Sequence, residues 1–282
     1  MEFVTWNVNV RESSASSLAS KAEYLAAVEW DVAALQEVSP KMAGVLRELA
    51  GSMVYLADPG DRYGSALLAR NGVTLEDAGV VPDLPVPSRG VAAEIQIQGR
   101  SVTVGSWHPP NAAKRVDKPA KQAAYTAFNR WACSRAQPLL VGADANHGAL
   151  WTRIADFPDS AFRLDFPRDL HWDENVFWTS PEHDLRDAWM IYLDANPAVL
   201  TEVRAEWERL KPDAEVPEPG EGRASAVTHV RGQGKPGEVH DRFDYVLMSP
   251  ELHISEMSHD LEGSVNAGSD HALVRACVHL AE

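Results

Sequence analysis

The chain opens on a strand-like run, Glu2 to Val10, and then changes period. In "SLASKAEYLAAVEW" Leu18, Ala22, Leu25 and Ala26 recur at helical spacing, which predicts a helix. "DVAALQEV" is a compact apolar run and reads as a buried strand ending in Glu37. "SPKMAGVLRELAG" predicts a second helix, with Ser39 as N-cap, Pro40 at the first helical position and Gly51 as the stop.

Four β-like runs follow without a convincing helix between them: "SMVYLA", "YGSALLAR", "GVAAEIQI" and "RSVTVGSWH". The last two are joined by a short turn at Gly99, the mark of antiparallel neighbours. Helical spacing returns from Lys118 to Arg135 and leads into "PLLVGADAN", an apolar strand that stops at polar residues. From Gly148 to Ser225 the pattern loosens. "LRDAWMIYL" and "VLTEVRAEWERL" keep helical spacing, whereas "KPDAEVPEPGEGRAS" has the Pro, Gly and acidic residues of an exposed loop. β-like "DRFDYVLMS" and "HALVRACVHL" return afterwards. Residues 1–282 are therefore expected to form one domain with a less regular insertion at about 148–225. Strands in hairpin order with helices beside them suggest two largely antiparallel sheets packed face to face, helices outside.

Charge narrows the function classes. With 26 basic and 41 acidic residues the formal net charge is −15, which disfavours a protein that coats duplex DNA through a broad basic face. An enzyme that grips a few phosphates through a metal ion is still compatible with it. Cys133 and Cys277 form no CxxC pair, so neither a disulfide framework nor a zinc knuckle is supported. "MEFVTWNVNV" has no basic leader region, no stretch reaches the length of a transmembrane helix, and a cytoplasmic location is expected. No obligate protein partner is evident.

Polar, ligand-capable residues recur where the apolar runs end. They are Asn7 and Asn9 in "TWNVN", Glu37 in "LQEV", His108 in "SWHPPN", Asp144 and Asn146 in "GADAN", and Asp244 in "RFDYVLMS". A sixth set, Asp270 and His271 in "NAGSDHALV", opens a strand instead of closing one. Taken singly, each is more often a turn former or a solvated strand end. Side chains of adjacent strand residues point to opposite faces, so Asp270 and His271 need not touch each other.

The six segments in this order resemble the endonuclease/exonuclease/phosphatase superfamily, which includes exonuclease III, DNase I, neutral sphingomyelinases and inositol polyphosphate 5-phosphatases. The resemblance runs from Thr5 to Val274, with "LQEV", "GADAN", "DYVLMS" and "GSDH" its most specific pieces. It implies a four-layer α/β sandwich of the DNase I type and a divalent-metal-dependent phosphodiester hydrolase. Mg²⁺ is the expected cofactor, with Mn²⁺ able to substitute, because a hard cation suits carboxylate and amide oxygens. By the same resemblance Glu37 is the principal metal ligand, with Asn7 and Asp270 close by and Asn9 contributing through water. Asp144 would orient or deprotonate the attacking water and Asn146 would hold a phosphoryl oxygen. His271 would sit against the phosphate, oriented by Asp244 and not by adjacent Asp270. His108 falls between branches: exonuclease III has a tyrosine before its Pro-Asn pair, DNase I and the sphingomyelinases a histidine, and "SWHPPN" has the histidine with Pro-Asn. A general acid for the leaving oxygen is the implied role. DNase I pairs this histidine with a carboxylate, for which Asp61 is a poor candidate here.

Competing readings are weaker. His183-Asp184, His240-Asp241 and His259-Asp260 raise the helical HD phosphohydrolases, but their contexts are loops and a strand start, so they are read as surface residues. There is no GxSxG, HExxH, P-loop or GxGxxG. A catalytically inactive binding module is disfavoured because Glu37, Asp144 and His271 are all present. For substrate, Asn111, Lys114 and Arg115 follow His108 directly and are the candidate backbone contacts, among scattered cations at Arg11, Arg62, Arg89, Lys118 and Lys121. The insertion carries Trp151, Trp172, Trp178, Trp189 and Trp207, which can stack on bases but more often anchor a core. The preferred substrate is nucleic acid, DNA before RNA. The alternative is a lipid or small-molecule phosphodiester.

Overall fold

The computed structural model describes residues 1–9, 14–56, 62–111, 118–146, 151–152, 183–210, 223–224, 227–231 and 239–281. From β1 (Glu2–Asn7) the chain passes through helix α1 (Ala15–Ala27), β2 (Val32–Val38), α2 (Pro40–Leu46), β3 (Ser52–Leu56), β4 (Gly64–Ala69) and β5 (Glu76–Val80). A one-turn 3₁₀ helix, Pro87–Arg89, precedes β6 (Gly90–Ile97), β7 (Arg100–Trp107), α3 (Lys118–Ser134) and β8 (Leu139–Asp144). Then come β9 (Trp151–Thr152), β10 (Arg186–Asp187), the helices Ala188–Ala195 and Pro197–Leu210, β11 (Arg223–Ala224), β12 (His229–Arg231) and β13 (Val239–Asp241). β14 (Asp244–Met248), β15 (Leu252–Asp260), the helix Leu261–Asn266 and β16 (Leu273–Leu280) close it.

Two six-stranded sheets carry the fold, in the orders β15-β16-β1-β2-β4-β3 and β10-β14-β8-β7-β6-β5. Each has one parallel pair at its centre, β1 with β2 and β7 with β8, bridged by α1 and α3. The remaining pairs are antiparallel, as the hairpin order suggested. One core cluster lies between the sheets and includes Phe3, Val32, Ala34 and Leu67 from the first with Val91, Val104, Leu140 and Val246 from the second. A second packs Tyr125, Phe128 and Ala132 of α3 on Trp107, Val141 and Tyr245. A third packs Leu18, Leu25, Met42 and Leu46 of α1 and α2 on Val4, Trp6, Leu35 and Leu68. The result is four layers: helix, sheet, sheet, helix.

Local chemistry explains the element ends. Ser14 and Ser39 cap α1 and α2 by accepting from the amides of Ser17 and Met42, at 3.2 Å each. α2 stops at Leu46, short of Gly51, because Glu48 and Leu49 donate back only three residues, to Val45 and Leu46, and tighten the last turn. Among the strands that the sequence does not announce are two at sheet edges. β5, "EDAGV", is exposed throughout, and β15, "LHISEMSHD", alternates outward polar residues on an edge. Edge strands carry few apolar residues, so the pattern that betrays central strands is weak there.

Part of the loosened stretch belongs to the main architecture. β10 pairs with β14 at the edge of the second sheet, and Ala188, Trp189, Met190 and Leu193 of the next helix enter the core between the sheets. Two histidines read as surface residues are more covered than that: His183 is 5% exposed, and half-buried His259 has both ring nitrogens covered, its ring 4.4 Å from Trp189, where that helix packs on β15. The side chains of Trp151, Trp172, Trp178 and Trp207 lie outside the described residues.

Candidate active site

Strand direction gathers the polar ends at one edge. Parallel β1 finishes at Asn7 and β2 one residue past Glu37, and antiparallel β16 starts there after His271. In the second sheet β7 and β8 finish at Trp107, just before His108, and at Asp144, while β14 starts at Asp244, paired with Asp144. Ligand sites in parallel sheets form outside the carboxyl ends of strands, and both sheets present theirs on the same side.

Two turns shape the centre. After β1, Asn9 adopts φ 47° and its amide donates to Asn7 Oδ1 at 2.9 Å. After β8, Asn146 adopts φ 49° and its amide donates to Asp144 Oδ1 at 2.8 Å. Asparagine tolerates this left-handed region better than most residues. A lysine from the adjoining helix secures each turn: Lys21 donates to Asn9 O at 2.7 Å and Lys121 to Asn146 O at 2.6 Å. Both lysines are almost fully buried. Asn7 Nδ2 donates to Asp144 Oδ2 at 2.7 Å and ties the two sheets together. Glu37 also has positive φ, 53°, at a bulge in the β2–β4 pairing between Leu35 and Val38. A bulge re-aims a side chain. Gln36 in the same bulge points between the sheets, donating from Nε2 to Thr5 Oγ1 at 3.1 Å and to Ser106 Oγ at 3.0 Å.

His108 lies 2% exposed, with Nε2 3.3 Å from Asp144 Oδ2 and 3.9 Å from Glu37 Oε1. Its Nδ1 faces Arg89 Nη1 at 2.9 Å. A guanidinium only donates, so Nδ1 accepts and the ring proton resides on Nε2, aimed at the carboxylates. Burial, with the positive charges of Arg89, His271 and Lys121, holds the imidazole well below its ordinary range, as a neutral donor. Arg89 is itself clamped by Tyr63, whose hydroxyl accepts from Nη2 at 2.9 Å and whose ring lies 4.2 Å beneath the guanidinium. The ring nitrogen away from the cleft thus faces a cation, and Asp61, the poor carboxylate candidate, lies outside the described residues.

Asp244 faces His271 Nδ1 at 3.0 Å through Oδ2, so Nδ1 carries a proton and Nε2 turns to the cleft, 3.9 Å from Asp144 and from Asp270. Burial opposes charging this ring, but the carboxylates of Asp244, Asp144 and Asp270 overcome it and lift the imidazole to about 10. Asp144, 1% exposed, is raised to about 6 by burial and by Asp244, against the pull of His271. Asp270 accepts from Asn9 Nδ2 at 2.6 Å. Thr228, a residue the sequence did not point to, accepts from the amides of Phe243 and Asp244 at 2.9 and 3.0 Å and so seats Asp244.

Nine of the expected residues therefore meet in a continuous run of contacts from Glu37 through His108, Asp144 with Asn146, Asn7, Asn9, Asp270 and His271 to Asp244. Asn111 is exposed, and Lys114 and Arg115 lie outside the described residues. Glu37 and Asp270 keep 18% and 29% of their side chains exposed, and the Asn7 oxygen has a second lone pair, so the donor set fits a hard divalent cation. Asn9 donates from Nδ2 to Asp270 and so orients that carboxylate.

The layers and the site edge define a DNase I-like α/β sandwich. The chain belongs to the Endonuclease/Exonuclease/phosphatase family, whose sequence model matches residues 4–271. Among solved structures it is similar to D. rerio TDP2 complexed with single-strand DNA product, at 16% identity and TM-score 0.64 over 99% of this chain and 98% of that one. It is similar to truncated Caenorhabditis elegans TDP2 at 17% identity and TM-score 0.62, covering 99% and 97%. A Bacteroides vulgatus endonuclease/exonuclease/phosphatase aligns at 14% identity and TM-score 0.65, covering 99% and 98%. No curated protein matches in sequence. Among the described residues no helix is long and apolar enough to cross a membrane.

Proposed function

We propose that this protein is a divalent-metal-dependent phosphodiester hydrolase acting on nucleic acid, DNA before RNA. The observation that carries the reading is Asp144, buried beside Asn7, His108 and the Asn146 amide, with its carboxyl raised to about 6. A general base works best with a pKa near the operating pH, so this carboxylate suits removal of a proton from water. Glu37, Asn7 and Asp270 would hold the metal ion, which supplies charge neutralisation at the phosphoryl oxygens when bound.

The remaining roles follow from donors and charge. Nε2 of His271, cationic through its Asp244 partner, offers a charge-assisted hydrogen bond to a phosphoryl oxygen. Asn146 Nδ2 gives one hydrogen to Pro109 O at 3.0 Å and has a second for the phosphate. His108 serves as a neutral Nε2–H donor towards the leaving oxygen, which gives the general-acid role the resemblance implied to an uncharged ring. TDP2 complexed with single-strand DNA product supports DNA as the substrate class.

The test is a panel of plasmid DNA, abasic and 3′-blocked oligonucleotides, RNA, sphingomyelin and an inositol phosphate, with Mg²⁺ or Mn²⁺ and with EDTA. Expected is metal-dependent DNA cleavage abolished by EDTA and by His271→Ala. Cleavage confined to lipid or inositol phosphate overturns the nucleic-acid reading, and turnover unchanged in His271→Ala overturns the site.

A further inference from the structure

The sequence reading left one imidazole at this edge unnoticed. His229 opens β12 and forms an isolated antiparallel bridge with His271, so the two side chains are cross-strand neighbours with ring centroids 4.6 Å apart. Val230 N to Asp270 O at 2.9 Å and Ala272 N to Thr228 O at 2.7 Å fix that register. Phe243 stacks on the His229 ring, 4.6 Å away and 24° from parallel, and sets its plane. His229 Nε2 lies 3.8 Å from Asp270 Oδ2, and His271 Nε2 lies 3.9 Å from Asp270 Oδ1. One ligand atom from each of the three residues falls within 4.8 Å of the other two.

We propose that His229, Asp270 and His271 form a two-imidazole, one-carboxylate site for a divalent transition-metal ion such as Mn²⁺, Co²⁺ or Zn²⁺. Metal–ligand bonds of about 2.0–2.2 Å bring neighbouring donors to about 3 Å, so these separations close by small side-chain rotations. His271 is already dressed for the role: Asp244 takes Nδ1, as a carboxylate behind a ligating histidine does, and leaves Nε2 facing the cleft. Asn9 Nδ2, 2.6 Å from Asp270 Oδ1, holds the carboxylate in the same way. Imidazole ligands favour first-row transition metals, whereas the oxygen set of Glu37 and Asn7 suits Mg²⁺. When filled, this site puts its positive charge where the His271 proton otherwise stands, so the phosphate meets a cation in either state. Metal binding here goes beyond the hydrolase reading and does not depend on it.

The experiment is titration of the full chain with Co²⁺ alone, read by visible absorption, with Mg²⁺ as competitor, on wild type, His229→Phe and His229→Gln. Phenylalanine keeps the stack on Phe243 and removes the nitrogen. The wild type should give a nitrogen-ligated Co²⁺ spectrum that equimolar Mg²⁺ does not displace. His229→Phe should weaken Co²⁺ binding by about 10-fold or more, the scale seen for disturbed metal sites, while Mg²⁺ affinity stays as in wild type. Unchanged Co²⁺ affinity and spectrum in a folded variant overturns the site, as does displacement by equimolar Mg²⁺. A readout without mutation covers variants that fail to fold: pulsed electron paramagnetic resonance of the Mn²⁺-loaded wild type should show coupling to two imidazole nitrogens, and no coupling overturns the proposal. None of these measurements uses substrate, so failure of the hydrolase reading leaves them intact.

Discussion

The turn after β1 and the turn after β8 are built alike and differ in one charge. Asn7-Val8-Asn9 and Asp144-Ala145-Asn146 each bend so that the first side chain accepts from the third amide, each with Asn at positive φ, and each fastened by a buried lysine. Their flanking architecture matches as well, since each ends one strand of a parallel pair bridged by a helix. Where the first turn has the amide of Asn7, the second has the carboxylate of Asp144, and the two meet at 2.7 Å. A second carboxylate there would leave two like charges in contact, forcing one to hold a proton. The pairing of amide with carboxylate lets Asp144 stay ionised at neutral pH while still lifted to about 6. The first half offers the oxygens of Asn7, Glu37 and Asp270 with His271 beside them, and the second a base, Asp144, with donors at His108 and Asn146.

Breaking that difference should have the largest effect. Asp144→Asn makes the second turn chemically equal to the first while keeping an oxygen for the Asn146 amide. The fold should survive with a wild-type circular dichroism spectrum, at a stability cost of about 1–3 kcal/mol because the new amide nitrogen meets the Asn7 Nδ2 donor. DNA cleavage should fall by about 10²–10⁴-fold in kcat, the usual contribution of a general base. Retained turnover removes Asp144 from the proton transfer. The reverse change, Asn7→Asp, places two carboxylates in contact and should cost both metal affinity and rate.

The lysines separate the halves at a smaller scale. Lys21→Met and Lys121→Met each strip a buried carbonyl of its donor, and each should lower unfolding stability by about 1–3 kcal/mol in chemical denaturation. Their functional signatures should differ. Lys21 holds the turn whose Asn9 orients Asp270, so its loss should weaken metal binding. Lys121 holds Asn146 next to Asp144, so its loss should lower kcat with metal affinity unchanged. Identical signatures would mean the two halves are not functionally distinct.

How much of this was legible in sequence depended on distance along the chain. Apolar runs with polar ends marked the strand termini, and the Asp-x-Asn spacing in "GADAN" put Asp144 and Asn146 together because a turn is local. Tyr63 and Thr228 escaped, and Arg89 was named only as a scattered cation and not as the partner of His108, because these contacts span 15 to 26 residues of intervening chain, by way of strand pairing that periodicity does not encode. The lysines did leave a trace. Lys21 interrupts the apolar stripe Leu18, Ala22, Leu25, and Lys121 sits one turn before Tyr125 on the buried face of α3. A charged residue inside an apolar stripe at helical spacing is a buried-cation signal. The central parallel pairs were obscured because the antiparallel hairpins outnumber them.

The two turns can meet only because the strands beneath them cross closely, and this contact gives the last and mildest prediction. Two residues before Asn7 stands Thr5, and two before Asp144 stands Gly142. A Cβ on Gly142 would lie 2.5 Å from Thr5 Cβ and 2.8 Å from Ala34 Cβ, neither of which is a flexible tip. Gly142→Ala should therefore push the sheets apart, at a cost of about 1–3 kcal/mol for overpacking. For a chain of this size that lowers the melting point by about 2–4 °C per kcal/mol. The same displacement lengthens the Asn7–Asp144 bond, so activity should fall along with stability. Pairing it with Thr5→Gly moves the missing Cβ to the other sheet and should recover part of the loss in a double-mutant cycle. Full additivity of the two substitutions would show that close approach at this crossing does not set the distance between the halves.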